Sequence, residues 1–153
     1  MNTEQLQCAI KENRCLNSHV KGVYSPDTLP LRVTTYPSAY ICNTDPSHLP
    51  GRHWVVFWFR NWTQAEFYDS LGYAPNHYDD RFSRFLKDNA TSFRYNDVPL
   101  QAKYATTCGD HVLFYVLMKC KHMRLQDIVR LLKSVPSTDR YVYRYVRHHF
   151  ECL

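Results

Sequence analysis

No stretch of this sequence is apolar for long enough to cross a bilayer. The apolar run Trp54–Phe59 has six residues and no run exceeds seven, against about 20 for a spanning helix. The opening Met1-Asn2-Thr3-Glu4-Gln5 has neither a basic nor an apolar segment, so no secretory signal is expected. The expected setting is intracellular, without a membrane partner. Repeats, low-complexity tracts and an internal linker are also lacking, which leaves one expected domain over residues 1–153. At that length a single core forms without staples. The 44% hydrophobic and 22% charged content is that of an ordinary globular chain.

Six cysteines are present: Cys8, Cys15, Cys42, Cys108, Cys120 and Cys152. Their even number suits a disulfide framework, but the chain is too long and apolar for a small stapled fold. Without an export signal, reduced and mostly buried thiols are expected. Acidic residues are scarce only toward the end. Residues 119–153 hold eight basic and three acidic side chains, while the rest of the chain is balanced, so the formal +5 lies wholly in this segment. Arg140, Arg144 and Arg147 would share one helical face there, with tyrosines interleaved. That face is either a solvated helix surface or a surface for a polyanion such as DNA.

The pattern along the chain predicts an α+β protein, with strands early and helices late. Thr3 would cap a first helix with Leu6, Ala9 and Ile10 inward. Residues 22–37, with Pro26, Pro30 and Pro37, read as irregular chain. Ala39–Asn43 reads as a short strand. Residues 52–59 suit a strand buried on both faces, and Ala65–Asp69 would pair with it as a hairpin. Asp79 and Asp80 would open a helix with Phe82, Phe85 and Leu86 inward. Thr91–Tyr95 reads as a further strand. A helix follows Cys108, and two more carry Leu125, Ile128 and Leu132, and Val142, Tyr145 and Val146.

Cys108, His53 and Asp69 are the residues with the means for chemistry. A cysteine at the start of a helix meets unpaired backbone N–H groups and the positive end of the dipole, and both favour thiolate. His53 heads the apolar strand and Asp69 closes the next. A thiol, a histidine and an acid are the nucleophile, base and orienter of a thiol protease. Taken singly, each has a structural reading: a packed cysteine, an edge histidine, an aspartate in a turn. Their joint order and context favour catalysis. Asp110, two residues after Cys108, works against a thiolate unless it points away. A metal site is not expected, because Cys108, His111, Cys120 and His122 would lie along one helix. Its ends would be roughly 18 Å apart, and one zinc ion does not bridge that.

The local contexts sharpen the reading. His53-Trp54 opens a hydrophobic strand, Tyr68-Asp69-Ser70-Leu71-Gly72 closes a later segment, and Gln101 stands seven residues before Cys108-Gly109. Together these resemble the adenovirus endopeptidase (adenain) family and, more distantly, the proteases that process ubiquitin-like proteins. The resemblance runs from about Val23 to Leu117. It implies a papain-like or adenain-like fold, with a central, mostly antiparallel sheet and the nucleophile on a buried helix N-terminus. It also implies that His53 is the base, Asp69 its orienter, Cys108 the nucleophile and Gln101 a donor to the oxyanion hole. Trp54, otherwise a core residue, would line the substrate cleft by this resemblance, as would Asn43, more simply a strand-end turn residue, and Gly109; protein substrates would be cut after glycine. The implied roles are maturation of viral capsid or core precursors in the host nucleus and virion, or removal of ubiquitin-like modifiers. A non-catalytic nucleic-acid-binding module is the reading of another class. No cofactor is required for the chemistry, though the family implies an activating peptide and DNA. Asp69 stands where adenovirus enzymes usually carry glutamate, and the chain is shorter than theirs beyond the cysteine helix.

Overall fold

The computed structural model describes residues 1–153. Five strands form one sheet in the order β1-β2-β3-β4-β5. They are β1 Val20–Tyr24, β2 Ser38–Asn43, β3 Trp54–Phe59, β4 Gln64–Tyr68 and β5 Ser92–Tyr95. The centre of the sheet, β2-β3-β4, is antiparallel, and each edge strand adds in parallel. A parallel neighbour needs a crossover; between β4 and β5 it is supplied by helix α3, Asp80–Asn89.

The run of apolar residues in β3 is explained by its central place. Successive side chains point to opposite faces, and all six are buried. Trp54, Val56 and Trp58 join the larger core, formed with α1 (Thr3–Glu12), α2 (Arg14–His19), α4 (Cys108–Cys120), α5 (Leu125–Ser134) and α6 (Thr138–His149). Val55, Phe57 and Phe59 join a smaller aromatic core under α3, where Phe57 meets Phe67, Phe82 and Phe85. Helix α4 is buried from Cys108 through Met118. A helix apolar around its whole circumference belongs in the centre of a core, and α4 lies between the sheet and α6.

Three features depart from the sequence expectations. The first helix is capped by Asn2, whose side chain accepts from Gln5 N while Gln5 answers to the Asn2 N–H; Thr3 is already inside it. Residues 22–24, expected as the start of an irregular stretch, belong to strand β1 (Val20–Tyr24), because β2 offers a free edge that local pattern cannot reveal. Cys15 and Cys120 are joined in a disulfide between α2 and the end of α4, not held as two separate thiols. The four remaining cysteines are free, with Cys42 and Cys108 buried and Cys8 and Cys152 exposed. No helix is long and apolar enough to cross a membrane.

Candidate active site

Antiparallel pairing of β3 and β4 puts the start of one and the end of the other at the same side of the sheet. His53, just before β3, therefore meets Asp69, just after β4. Their side chains are buried, and His53 Nε2 lies 2.6 Å from Asp69 Oδ1. The N-terminus of α4 arrives at the same edge and brings Cys108 to the floor of a cleft of about 1200 Å³ shared by His53, Trp54 and Gln101.

Asp69 is completely buried, and a carboxylate there must be fully hydrogen-bonded. Oδ1 accepts from His53 and from the Leu71 N–H at 2.9 Å. Oδ2 accepts from the Tyr73 N–H at 3.1 Å and the Tyr78 hydroxyl at 2.7 Å. Asp69 is thus both the turn residue and the partner of the histidine. Its backbone is held in turn: the Asp69 N–H donates to Asn96 Oδ1 at 3.0 Å, and Asn96 Nδ2 donates to the Asp69 carbonyl. Gly72 completes the turn at φ +80°, where a Cβ would meet the Val98 carbonyl carbon at 2.5 Å.

With Nε2 on Asp69, His53 Nδ1 is left for Cys108. Burial acts most strongly on His53 and favours the neutral ring. The Asp69 hydrogen bond, the Cys108 contact and their negative charges together outweigh it, so the histidine is raised to about 9. Burial likewise opposes ionisation of Cys108, but His53 and the Trp54 N–H overcome it and leave the thiol lowered. Each partner thus favours the charged form of the other.

Gln101 is held at the lip of the cleft. Its Oε1 accepts from the Ser70 hydroxyl at 2.6 Å, and its Nε2 donates to the Ala105 carbonyl at 2.6 Å. One of the two Nε2 hydrogens remains for an incoming oxygen. The Leu100 and Gln101 N–H groups both donate to the Ser70 carbonyl, so the loop before Cys108 is laced to the turn after Asp69. Asn43 also lines the cleft while its Oδ1 accepts from the Asp45 N–H. Trp54 lines it as well, and its indole donates to the Met1 carbonyl at 2.9 Å.

Gly109 does not reach the cleft. It is buried, and a Cβ there would meet the Met1 Cβ at 2.5 Å; its small size admits the N-terminal segment. Asp110 does point away from Cys108. Its Oδ1 stands 3.3 Å from Arg147 Nη2, an ion pair without hydrogen-bond alignment. Burial raises the Asp110 carboxyl, and Arg147 offsets only part of this. Arg147 is consequently not one of a free exposed arginine triplet. It is three-quarters covered, donates to the Leu153 carbonyl at 2.7 Å and lies over the Tyr143 ring. Arg140 and Arg144 are exposed.

His111 belongs to neither cleft nor metal. It is fully buried between the Tyr68 hydroxyl at 3.1 Å and Asp139 Oδ1 at 3.2 Å. Asp139, at the start of α6, also accepts from the Thr107 hydroxyl and the Ala102 N–H. Sequence reading passed over Tyr78, Ser70 and Asn96. Tyr78 stood next to a predicted helix start and Ser70 next to Asp69, but neither position announces a partner thirty residues away or across a turn.

No family model and no curated protein matches the sequence. Among solved structures, the crystal structure of the selenomethionine ASFV pS273R protease is similar, with a TM-score of 0.45 and 21% identity over 74% of this chain. The match spans 44% of that protease, so this chain corresponds to under half of its length.

Two outcomes follow from the pair's electrostatics. Alkylation followed by peptide mapping should label Cys108 at pH values where Cys42, whose burial pushes it well up, and Cys152, pushed up to about 12, are unreacted; equal labelling of Cys152 would contradict the ion pair. The raised His53 stabilises the fold fully below its free value of 6.5, and this stabilisation is lost as pH rises through about 9. Asp69→Asn keeps an acceptor for His53 but turns an NH₂ toward the Tyr73 N–H. Leaving that donor unpaired should lower stability by about 1–3 kcal/mol in denaturant titrations.

Proposed function

We propose that this chain is a cysteine endopeptidase using Cys108, His53 and Asp69. The observation that carries the proposal is the buried 2.6 Å His53–Asp69 pair beside a cysteine whose thiol is lowered. Three groups sixteen and thirty-nine residues apart in the sequence come together at one end of the sheet, and this supports the reading.

Cys108 Sγ attacks the carbonyl carbon of a peptide bond, and the carbonyl oxygen gains negative charge. The Cys108 N–H at the start of α4 and the spare Gln101 N–H are the donors for that oxygen. The His53 imidazolium gives its Nδ1 proton to the departing amine as the C–N bond breaks. Neutral His53 then takes a proton from water, which attacks the thioester and releases Cys108. Asp69 keeps the ring oriented throughout and stays ionised. Tyr78 and Ser70 act through Asp69 and Gln101 and are positioning residues.

Cleavage after glycine, and a role in maturing viral capsid or core precursors, follow from the resemblance carried by the sequence around His53, Asp69 and Cys108. So does the expectation of an activating peptide. Gly-Gly and Gly-x-Gly peptide libraries, set beside ubiquitin-like fusions, test the substrate class. The wild type should cut the peptides, and Cys108→Ala should not. Preferential cleavage of the fusions would assign the modifier-processing role, and no cleavage of either by folded protein would refute the proposal. Gln101→Ala should lower kcat by about 10²–10³.

DNA binding through the C-terminal segment is narrowed, by the partial burial of Arg147 and its pairing with Asp110, to Arg140 and Arg144 with exposed neighbours such as His148. Affinity for duplex DNA should be indifferent to sequence, and should fall with salt at a log–log slope of about −0.9 per phosphate contact. Arg140→Gln with Arg144→Gln should flatten that slope by roughly two contacts while leaving peptide cleavage by the free enzyme intact. An unchanged slope would make this face a solvated helix surface.

A further inference from the structure

The far end of α4 carries a second cluster of reactive side chains, which the proposed protease chemistry does not use. Cys120, the last residue of α4, is bonded to Cys15 of α2, with Cα atoms 6.3 Å apart. His19 follows Cys15 by one helical turn and so shares its face. Its Nδ1 lies 3.4 Å from Cys15 Sγ. The ligand atoms of Cys15, His19 and Cys120 all fall within 4.8 Å of one another. Cys108 is twelve residues up the helix, about 18 Å away, so this cluster is distinct from the cleft.

We propose that, once reduced, Cys15, His19 and Cys120 form a Zn²⁺ site, so that disulfide and metal are alternative ties between α2 and α4. Two thiolates and an imidazole are a donor set suited to zinc. Zn–S and Zn–N bonds of about 2.3 and 2.0 Å in tetrahedral geometry place sulfur and nitrogen about 3.5 Å apart, and two sulfurs about 3.8 Å apart. The Cys15–His19 separation already matches the first figure. Unbonded sulfurs relax to van der Waals contact, close to the second. Both cysteines and the histidine sit on helices, so their backbones are already in place.

The chemistry balances. A thiol reductant supplies two electrons to the Sγ–Sγ bond and departs as its own disulfide, leaving two protein thiols. Zn²⁺ then displaces both thiol protons. In the disulfide form His19 Nδ1 also meets the Cys15 carbonyl oxygen at 2.9 Å. On metal binding the ring proton moves to Nε2, that bond is given up, and the Nδ1 lone pair turns to the ion. Three protein ligands leave the fourth position to water. In a reducing compartment, where disulfides do not persist, the tie would be kept by the metal.

Cobalt(II) is the probe, used on the full chain carrying Cys108→Ala so that the cleft offers no thiolate. After reduction and removal of the reductant, one equivalent should give thiolate-to-cobalt charge-transfer bands and tetrahedral visible bands, both displaced by Zn²⁺. The oxidised protein should give neither. Cys15→Ser should abolish the charge-transfer band at one equivalent, and His19→Ala should weaken binding at least tenfold. Absence of the bands after reduction, their presence with the disulfide intact, or their persistence in Cys15→Ser would each overturn the site. The oxidised and reduced arms use one polypeptide, so a folding defect in a variant cannot decide the result.

Discussion

The buried Asp69 carboxylate is the constraint on which the rest of the site depends. An ion with no access to water costs several kcal/mol unless its acceptor positions are filled. Here they are filled by two backbone N–H groups, a tyrosine hydroxyl and an imidazole. Meeting that demand shapes the turn after β4, places Tyr78 against the histidine and sets which nitrogen of His53 faces the cysteine. The same turn lends its Ser70 carbonyl and hydroxyl to the loop ahead of Cys108. The groups that lower the thiol and the Gln101 amide at the cleft are thus fixed by one local structure.

Helix α4 joins that structure to the rest of the molecule. Its first turn holds Cys108, and the two residues after Gly109 face backward into α6. His111 reaches Asp139, which ties the Thr107 and Ala102 side of the loop to the start of α6, and Asp110 reaches Arg147 near its end. The carboxylate that sequence alone set against the thiolate is therefore turned away and paired. At the opposite end of α4, Cys120 is secured to α2. A helix anchored at both ends and buried along its length holds its N-terminal amides in a constant direction.

Much of this was legible before any coordinates. The apolar run of β3, the alternating helix faces and the acids ahead of α3 each mark their elements by a periodicity or cap that depends only on neighbours in the chain. His53, Asp69 and Cys108 stood out because strand ends and helix starts are recognisable, and a sheet brings such ends together; Gln101 was singled out only by the resemblance that their contexts carry. Strand β1 was not, since its order comes from the edge of β2. The Cys15–Cys120 bond was not either, because a separation of 105 residues carries no local signal.

The sequence by itself thus determined the α+β character, the placing of His53, Asp69 and Cys108 at the ends of elements, and the gathering of positive charge toward the end of the chain. These follow from short-range patterns of burial, capping and charge. Only the tertiary structure decided what each group faces. It assigned His53 Nε2 to Asp69, covered Gly109 with Met1, withdrew Arg147 from the surface to neutralise Asp110, and brought Cys15, His19 and Cys120 together. Those outcomes depend on how distant elements pack, where the cost of an unpaired buried charge or a steric overlap selects one arrangement among many that the sequence allows.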